Sequence, residues 1–197
     1  MIEAFITLVS TTVLLLGSPG PAPIALAATG ATFGFRKGMP FLFGILTGIA
    51  VAITAASVGL AALFNTFPQL KLGFQIIGGT YILYIAYKIA SASAVSAGDV
   101  ENAPKFIDGF ILNLLNPKLY AVFLAIYSKF LLPADSLFVS YLLTGLTCFA
   151  IAVCVDVLWL AFGRTLRHIF HQPKQARQIR ILLACLMVIA VFLSFIL

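Results

Sequence analysis

Residues 4–35, AFITLVSTTVLLLGSPGPAPIALAATGATFGF, run for 32 positions without a charge. As one straight helix they would extend about 48 Å at about 1.5 Å per residue, well past a hydrocarbon core of about 30 Å. In the middle stands Gly17-Ser18-Pro19-Gly20-Pro21-Ala22-Pro23. A regular helix cannot carry that run, because each proline lacks an N–H and its ring crowds the carbonyl one turn earlier. The segment reads as a single membrane span, about residues 4–30, with a break inside it.

The remaining chain supports a lipid solvent. Of 197 residues, 62% belong to the set AVILMFWYC and 9% are charged, against roughly 45–50% and about 25% in soluble domains. A domain this small cannot hide so much apolar surface from water. A soluble enzyme, a disordered tail and a nucleic-acid-binding domain are disfavoured. Further spans of about 20 residues fall near 40–64, 72–90, 106–130, 136–163 and 179–197, giving six transmembrane helices. Alternation of apolar and polar residues, the mark of a membrane barrel, is missing. Ala25-Leu26-Ala27 has the small-x-small look of a cleavage site, but Met1-Ile2-Glu3 carries no Lys or Arg, so the first segment is read as a span and not as a leader.

Charge gives an orientation. Arg36, Lys37, Lys88, Lys105, Arg164, Arg167, Lys174, Arg177 and Arg180 follow spans one, three and five; Lys71 and Lys129 stand on the other side, and Lys118 lies within a span. Nine against two places the first group in the cytoplasm and both termini away from it. The basic stretch 164–180, with His168 and His171, reads as a solvated cytoplasmic loop, not as a nucleic-acid or lipid head-group patch. Cys148, Cys154 and Cys185 are odd in number and sit in apolar runs, so they read as buried thiols without a disulfide framework or metal site. The polar stretch 91–104, SASAVSAGDVENAP, reads as a linker. The chain is then one transporter domain, 1–197, made of a first three-helix half (1–90), a cytoplasmic linker (91–105) and a second half (106–197).

With three spans each, the halves enter the membrane from opposite faces, as in an inverted repeat whose interrupted helices mark the binding site. The first span of the second half is also interrupted, by Asn113-Leu114-Leu115-Asn116-Pro117-Lys118. The fold expected is an all-α membrane protein of three plus three helices, with helices 1 and 4 broken. Backbone freed from a helix in lipid costs several kcal/mol per unsatisfied group, so protein or ligand must satisfy it. Half-helix N-termini suit an anion and C-termini a cation; a free amino acid carries both charges. Pro19, Gly20, Pro21, Asn113, Asn116, Pro117 and Lys118 are the expected substrate-binding residues. Asp156, the acid within span five, is the expected proton or amine partner, since intramembrane ionisable groups are costly and mark pathways. Trp159 and Tyr120 read as packing or interface residues, and Gly44 with Gly48 as a close helix-packing face.

At these residues the chain resembles the LysE/RhtB family of bacterial amino-acid exporters over nearly its whole length. The likeness rests on Pro19-Gly20-Pro21, Gly34-Phe35-Arg36-Lys37-Gly38, Gly44 with Gly48, and Gly78-Gly79-Thr80-Tyr81-Ile82-Leu83-Tyr84. It rests further on Gly109-Phe110 before Asn113-Leu114-Leu115-Asn116-Pro117-Lys118, and on Asp156 with Trp159. Tyr127-Ser128-Lys129-Phe130 stands where members commonly have Pro-Gln-Phe, and Ile49 where some exporters of basic amino acids have an acid. The resemblance implies proton-driven efflux of small neutral amino acids or related metabolites through the bacterial inner membrane, with no enzyme activity, cofactor, metal or nucleic acid. A homo-oligomer stays open. The alternatives are a membrane thiol-redox protein, for which Cys148, Cys154 and Cys185 would have to supply two neighbouring thiols, a metal or inorganic-ion exporter, and a non-transporting assembly factor.

Overall fold

A computed structural model of the protein describes residues 1–59, 66–91 and 103–166 and four short pieces between 177 and 189. Most of the linker, His168 and His171, and much of the expected sixth span lie outside the described residues. Among the described residues the regular elements are helices, without a strand. They are α1 (Ile2–Gly17), α2 (Pro21–Phe33), α3 (Phe35–Ser57), α4 (Pro68–Ser91), α5 (Phe106–Leu114), α6 (Pro117–Lys129) and α7 (Leu137–Leu166).

The two interruptions appear as bends. α1 and α2 meet at 62°, and α5 and α6 at 58°. By length and hydropathy α3 and Leu137–Gly163 of α7 can each cross a membrane, and each bent pair can count as one span more. Ser18, the residue before Pro19, leaves the helix with φ −64° and ψ 144°, as the ring of a following proline demands. Pro21 then opens α2 at its first position, where a missing N–H is least harmful. The 4–30 span runs on to Phe33, and the chain turns into α3 at Gly34 with φ 83°, a left-handed conformation that a Cβ would strain.

Glycine sets how closely the helices approach. A Cβ on Gly44 of α3 would strike the Phe106 carbonyl, and one on Gly109 of α5 would strike the Phe41 carbonyl. Gly48 faces Asn113 Cβ, so the Gly44/Gly48 stripe is the packing face expected of it. On the other side Gly163 of α7 meets the Ala27 carbonyl of α2. All of α2 from Pro21 to Ala31 is buried, and with α7 and α3 it forms the centre of the bundle. Leu160, late in α7, packs on Gly38, early in α3. The exposed Arg36, Lys37 and Lys105 thus stand toward the end of the bundle where α7 finishes, and Lys129 at the end of α6 stands away from it.

Candidate functional site

The second break shows how unwound backbone is satisfied from within. Pro117 has no N–H to give to Asn113, so the Asn116 amide bonds the Asn113 carbonyl instead, at 3.1 Å. The Asn116 side chain caps α6, its Oδ1 accepting from the Lys118 amide at 3.1 Å, and the Leu119 amide reaches the Asn116 carbonyl at 3.1 Å. The Leu114 carbonyl, left without its usual donor, accepts from the Tyr120 hydroxyl at 2.6 Å. Asn113, 1% exposed, donates its Nδ2 to the Ile45 carbonyl of α3 at 2.9 Å.

The first break is less complete. The Ser18 hydroxyl donates to the Leu15 carbonyl at 2.9 Å, the one that Pro19 cannot serve. The Ser18 carbonyl is taken by a distant side chain: Lys118 Nζ donates to it at 2.7 Å and to Ser18 Oγ at 2.9 Å. The Lys118 stem lies along Gly20, where an added Cβ would stand 3.0 Å from both Cδ and Nζ. The two breaks are therefore in contact, joined through Lys118.

Between them lies a cavity of about 30 Å³, room for little more than a water molecule. Asn113, Asn116, Lys118 and Asp156 border it, together with Leu16, Ala22, Pro23, Ile49, Leu119, Val122 and Ala152. Of the residues expected at a site, Pro19, Gly20, Pro21 and Pro117 do not border it. They shape the backbone, and Gly20 makes room for Lys118. Asp156 is 5% exposed, and its Oδ2 has no hydrogen-bond partner among the described residues. A buried polar atom without a partner is costly, and this one belongs to a residue that borders the cavity.

The half-helix N-termini differ from the expected amide cradle. In α2, Pro21 and Pro23 have no N–H and the Ile24 amide bonds the Gly20 carbonyl at 3.0 Å, which leaves the Ala22 amide alone in the first turn. In α6, the Lys118 and Leu119 amides are spent within the break. Prolines and a capping asparagine remove the donors that an anion would use, so the positive group offered here is the Lys118 side chain. Ser18, Ile49 and Tyr120 are participants that the site residues expected from sequence leave out. Ser18 stands beside the break with a hydroxyl, which is a signal; nothing local to Tyr120 points to Leu114.

Cys148 is buried, with Sγ 3.6 Å from Thr12 Oγ1, while Cys154 and Cys185 are exposed free thiols. No group of three His, Cys, Asp or Glu residues among the described residues is placed to hold a metal.

The chain is similar to an uncharacterized membrane protein of Pseudomonas aeruginosa, 27% identical over 174 residues, covering 82% of this chain and 78% of the relative. It is similar to the homoserine/homoserine lactone efflux protein of Salmonella typhimurium, 25% identical with 85% and 84% covered. The threonine efflux protein of Escherichia coli K12 is 25% identical, with 66% and 68% covered. No solved structure matches the chain. The sequence profile of LysE type translocators matches residues 13–195, nearly the whole chain, and the protein belongs to that family of membrane transporters.

Proposed function

We propose that the protein exports small neutral amino acids from the cytoplasm, exchanging them for protons by alternating access around the cavity between the two breaks. The observation that carries this reading is that a basic and an acidic side chain border the same small cavity between the breaks. Lys118 bridges the breaks, and Asp156, whose Oδ2 has no donor among the described residues, borders the same cavity. A zwitterion needs one group for its carboxylate and one for its amine, and Lys118 and Asp156 are those groups. Asn113 and Asn116 hold the second break beside them, while Pro19, Gly20, Pro21 and Pro117 keep both backbones open. Asp156 takes the proton when the amine has left.

Similarity to efflux proteins named for homoserine, threonine and leucine supports amino acids as the cargo. Ile49 on the cavity wall supports a neutral side chain, because no second acid is present there to meet a basic one. The cavity is smaller than any amino acid, so transport requires the breaks to move apart.

Six spans in two inverted halves, 1–90 and 106–197 with a cytoplasmic linker 91–105, best fit this role. The broken pair α1–α2 packs on α7, and the broken pair α5–α6 packs on α3. Each interrupted helix thus rests on the unbroken helix that follows the other, as a pseudo-twofold axis in the membrane plane requires. Arg36, Lys37 and Lys105 face the cytoplasm and both termini face away from it, in the bacterial inner membrane.

The test is a release screen. Cells overproducing the protein are fed dipeptides, and external amino acids are measured over time. One or a few neutral amino acids should accumulate outside, and a protonophore should stop them. Asp156→Asn should abolish the response to an imposed pH gradient. Unchanged external levels for every amino acid would sink the proposal.

A further inference from the structure

We infer that Ser18 is an internal competitor for the transported carboxylate, positioning Lys118 between turnovers and setting the affinity for the amino acid. This inference rests on the reading of the cavity as an amino-acid site.

Ser18 presents two oxygens to one amino group, at 2.7 and 2.9 Å from Lys118 Nζ. Two oxygens on one ammonium is the arrangement that a carboxylate offers. The Ser18 hydroxyl has a single proton, and that proton goes to the Leu15 carbonyl, so toward Lys118 the hydroxyl can only accept. Both contacts are therefore acceptor contacts, like those of a carboxylate. Lys118 also borders the cavity, so one residue is shared between the Ser18 oxygens and the wall of the space open to a ligand. A carboxylate that takes two N–H groups of Lys118 draws it away from Ser18, because only one of the three is left over. Once it does, the end of α1 loses its link to α6, and the two broken spans are free to separate. Asp156, with its unpartnered oxygen, meets the amine at the same time. The ligand class that releases Ser18 is an α-amino acid with a free carboxylate. A carboxamide brings no negative charge to Lys118 and leaves Ser18 in place.

The test uses the purified full-length protein and the emission of Trp159, its one tryptophan, three residues beyond Asp156 on α7. Wild type and Ser18→Ala are titrated with each of the protein amino acids and with their carboxamides. The alanine variant keeps the carbonyl but loses the hydroxyl acceptor, so binding of the preferred amino acid should tighten by about threefold to tenfold, the range for one ordinary hydrogen bond. In vesicles its half-saturating concentration should fall by the same factor without a rise in maximal rate. Ser18→Thr keeps the hydroxyl and should bind like wild type. Carboxamide binding should not respond to either change. Unchanged or weaker amino-acid binding in Ser18→Ala, as when the carboxylate uses only the third N–H of Lys118, would overturn the competitor role. So would a gain shared with the carboxamide. A wild type that responds to no amino acid would overturn the amino-acid reading and this inference with it.

Discussion

At residues 113–120 the unwound backbone is served by its own neighbourhood: the Asn116 side chain, the Asn116 amide and the Tyr120 hydroxyl lie within seven residues of the groups they bond. At the first break the Leu15 carbonyl is served locally, by the Ser18 hydroxyl, but the Ser18 carbonyl by Lys118, 100 positions away. The second break is thus complete in itself. The first is complete only while it touches the second. In a bilayer an unsatisfied carbonyl costs several kcal/mol, so the first break is the part whose stability depends on where the rest of the protein stands. On the alternating-access reading proposed above, the first break is the side expected to move and the second the side expected to stay fixed.

Lys118→Ala strikes the link itself and carries the largest expected effect. Losing the ammonium that the proposed site offers a carboxylate costs about 2 kcal/mol, within the range for hydrogen bonds to charged groups, so efflux of the exported amino acid should fall by about 30-fold. The amount of protein in the membrane should stay near that of wild type; loss of the protein from the membrane would instead make Lys118 a folding residue. Asn116→Ala attacks the self-contained break. Loss of the cap should lower stability by about 1 kcal/mol, read as a lower melting temperature in detergent, with efflux reduced because Lys118 starts α6 from a looser end. Tyr120→Phe strips the donor from the Leu114 carbonyl and should cost about 1 kcal/mol in the same melt. If both changes left the melt untouched, the second break would not be the rigid one. Gly20→Ala is the mildest change. Its methyl would stand 3.0 Å from Lys118 Nζ, which a flexible side chain can relieve by a small shift. Efflux should fall by about twofold, equivalent to about 0.4 kcal/mol, with no change in melting temperature.

The interruptions were legible because they are covalent facts: a proline lacks an N–H wherever it sits, so Pro19 and Pro117 announce which carbonyls lose their donors. The depth of Lys118 and Asp156 within apolar runs likewise marked them as unusual. Sequence could not show who replaces the lost donors. That choice depends on three-dimensional proximity, and the Lys118–Ser18 contact has no local pattern. Tyr120, read as a packing residue, is buried at 8% exposure as packing predicts, yet its hydroxyl has a specific task at Leu114. The amide cradle expected at the half-helix starts was thinned by the very prolines that announced the breaks, since Pro21, Pro23 and Pro117 are themselves donorless. Hydropathy expected six spans. The described residues supply two long apolar helices and two bent pairs, with α4 covering the third expected span at Pro68–Ser91.

The glycine contact between α3 and α5 has a further effect. Gly44 and Gly109 bring main chain against main chain, and Asn113 ties its side chain to the Ile45 carbonyl four residues before the break ends. With no side chains between them to slip or repack, the two helices share one register. α3 therefore acts as a ruler for the second break: shifting it by one turn would carry Asn116 and Lys118 about 5 Å along its axis.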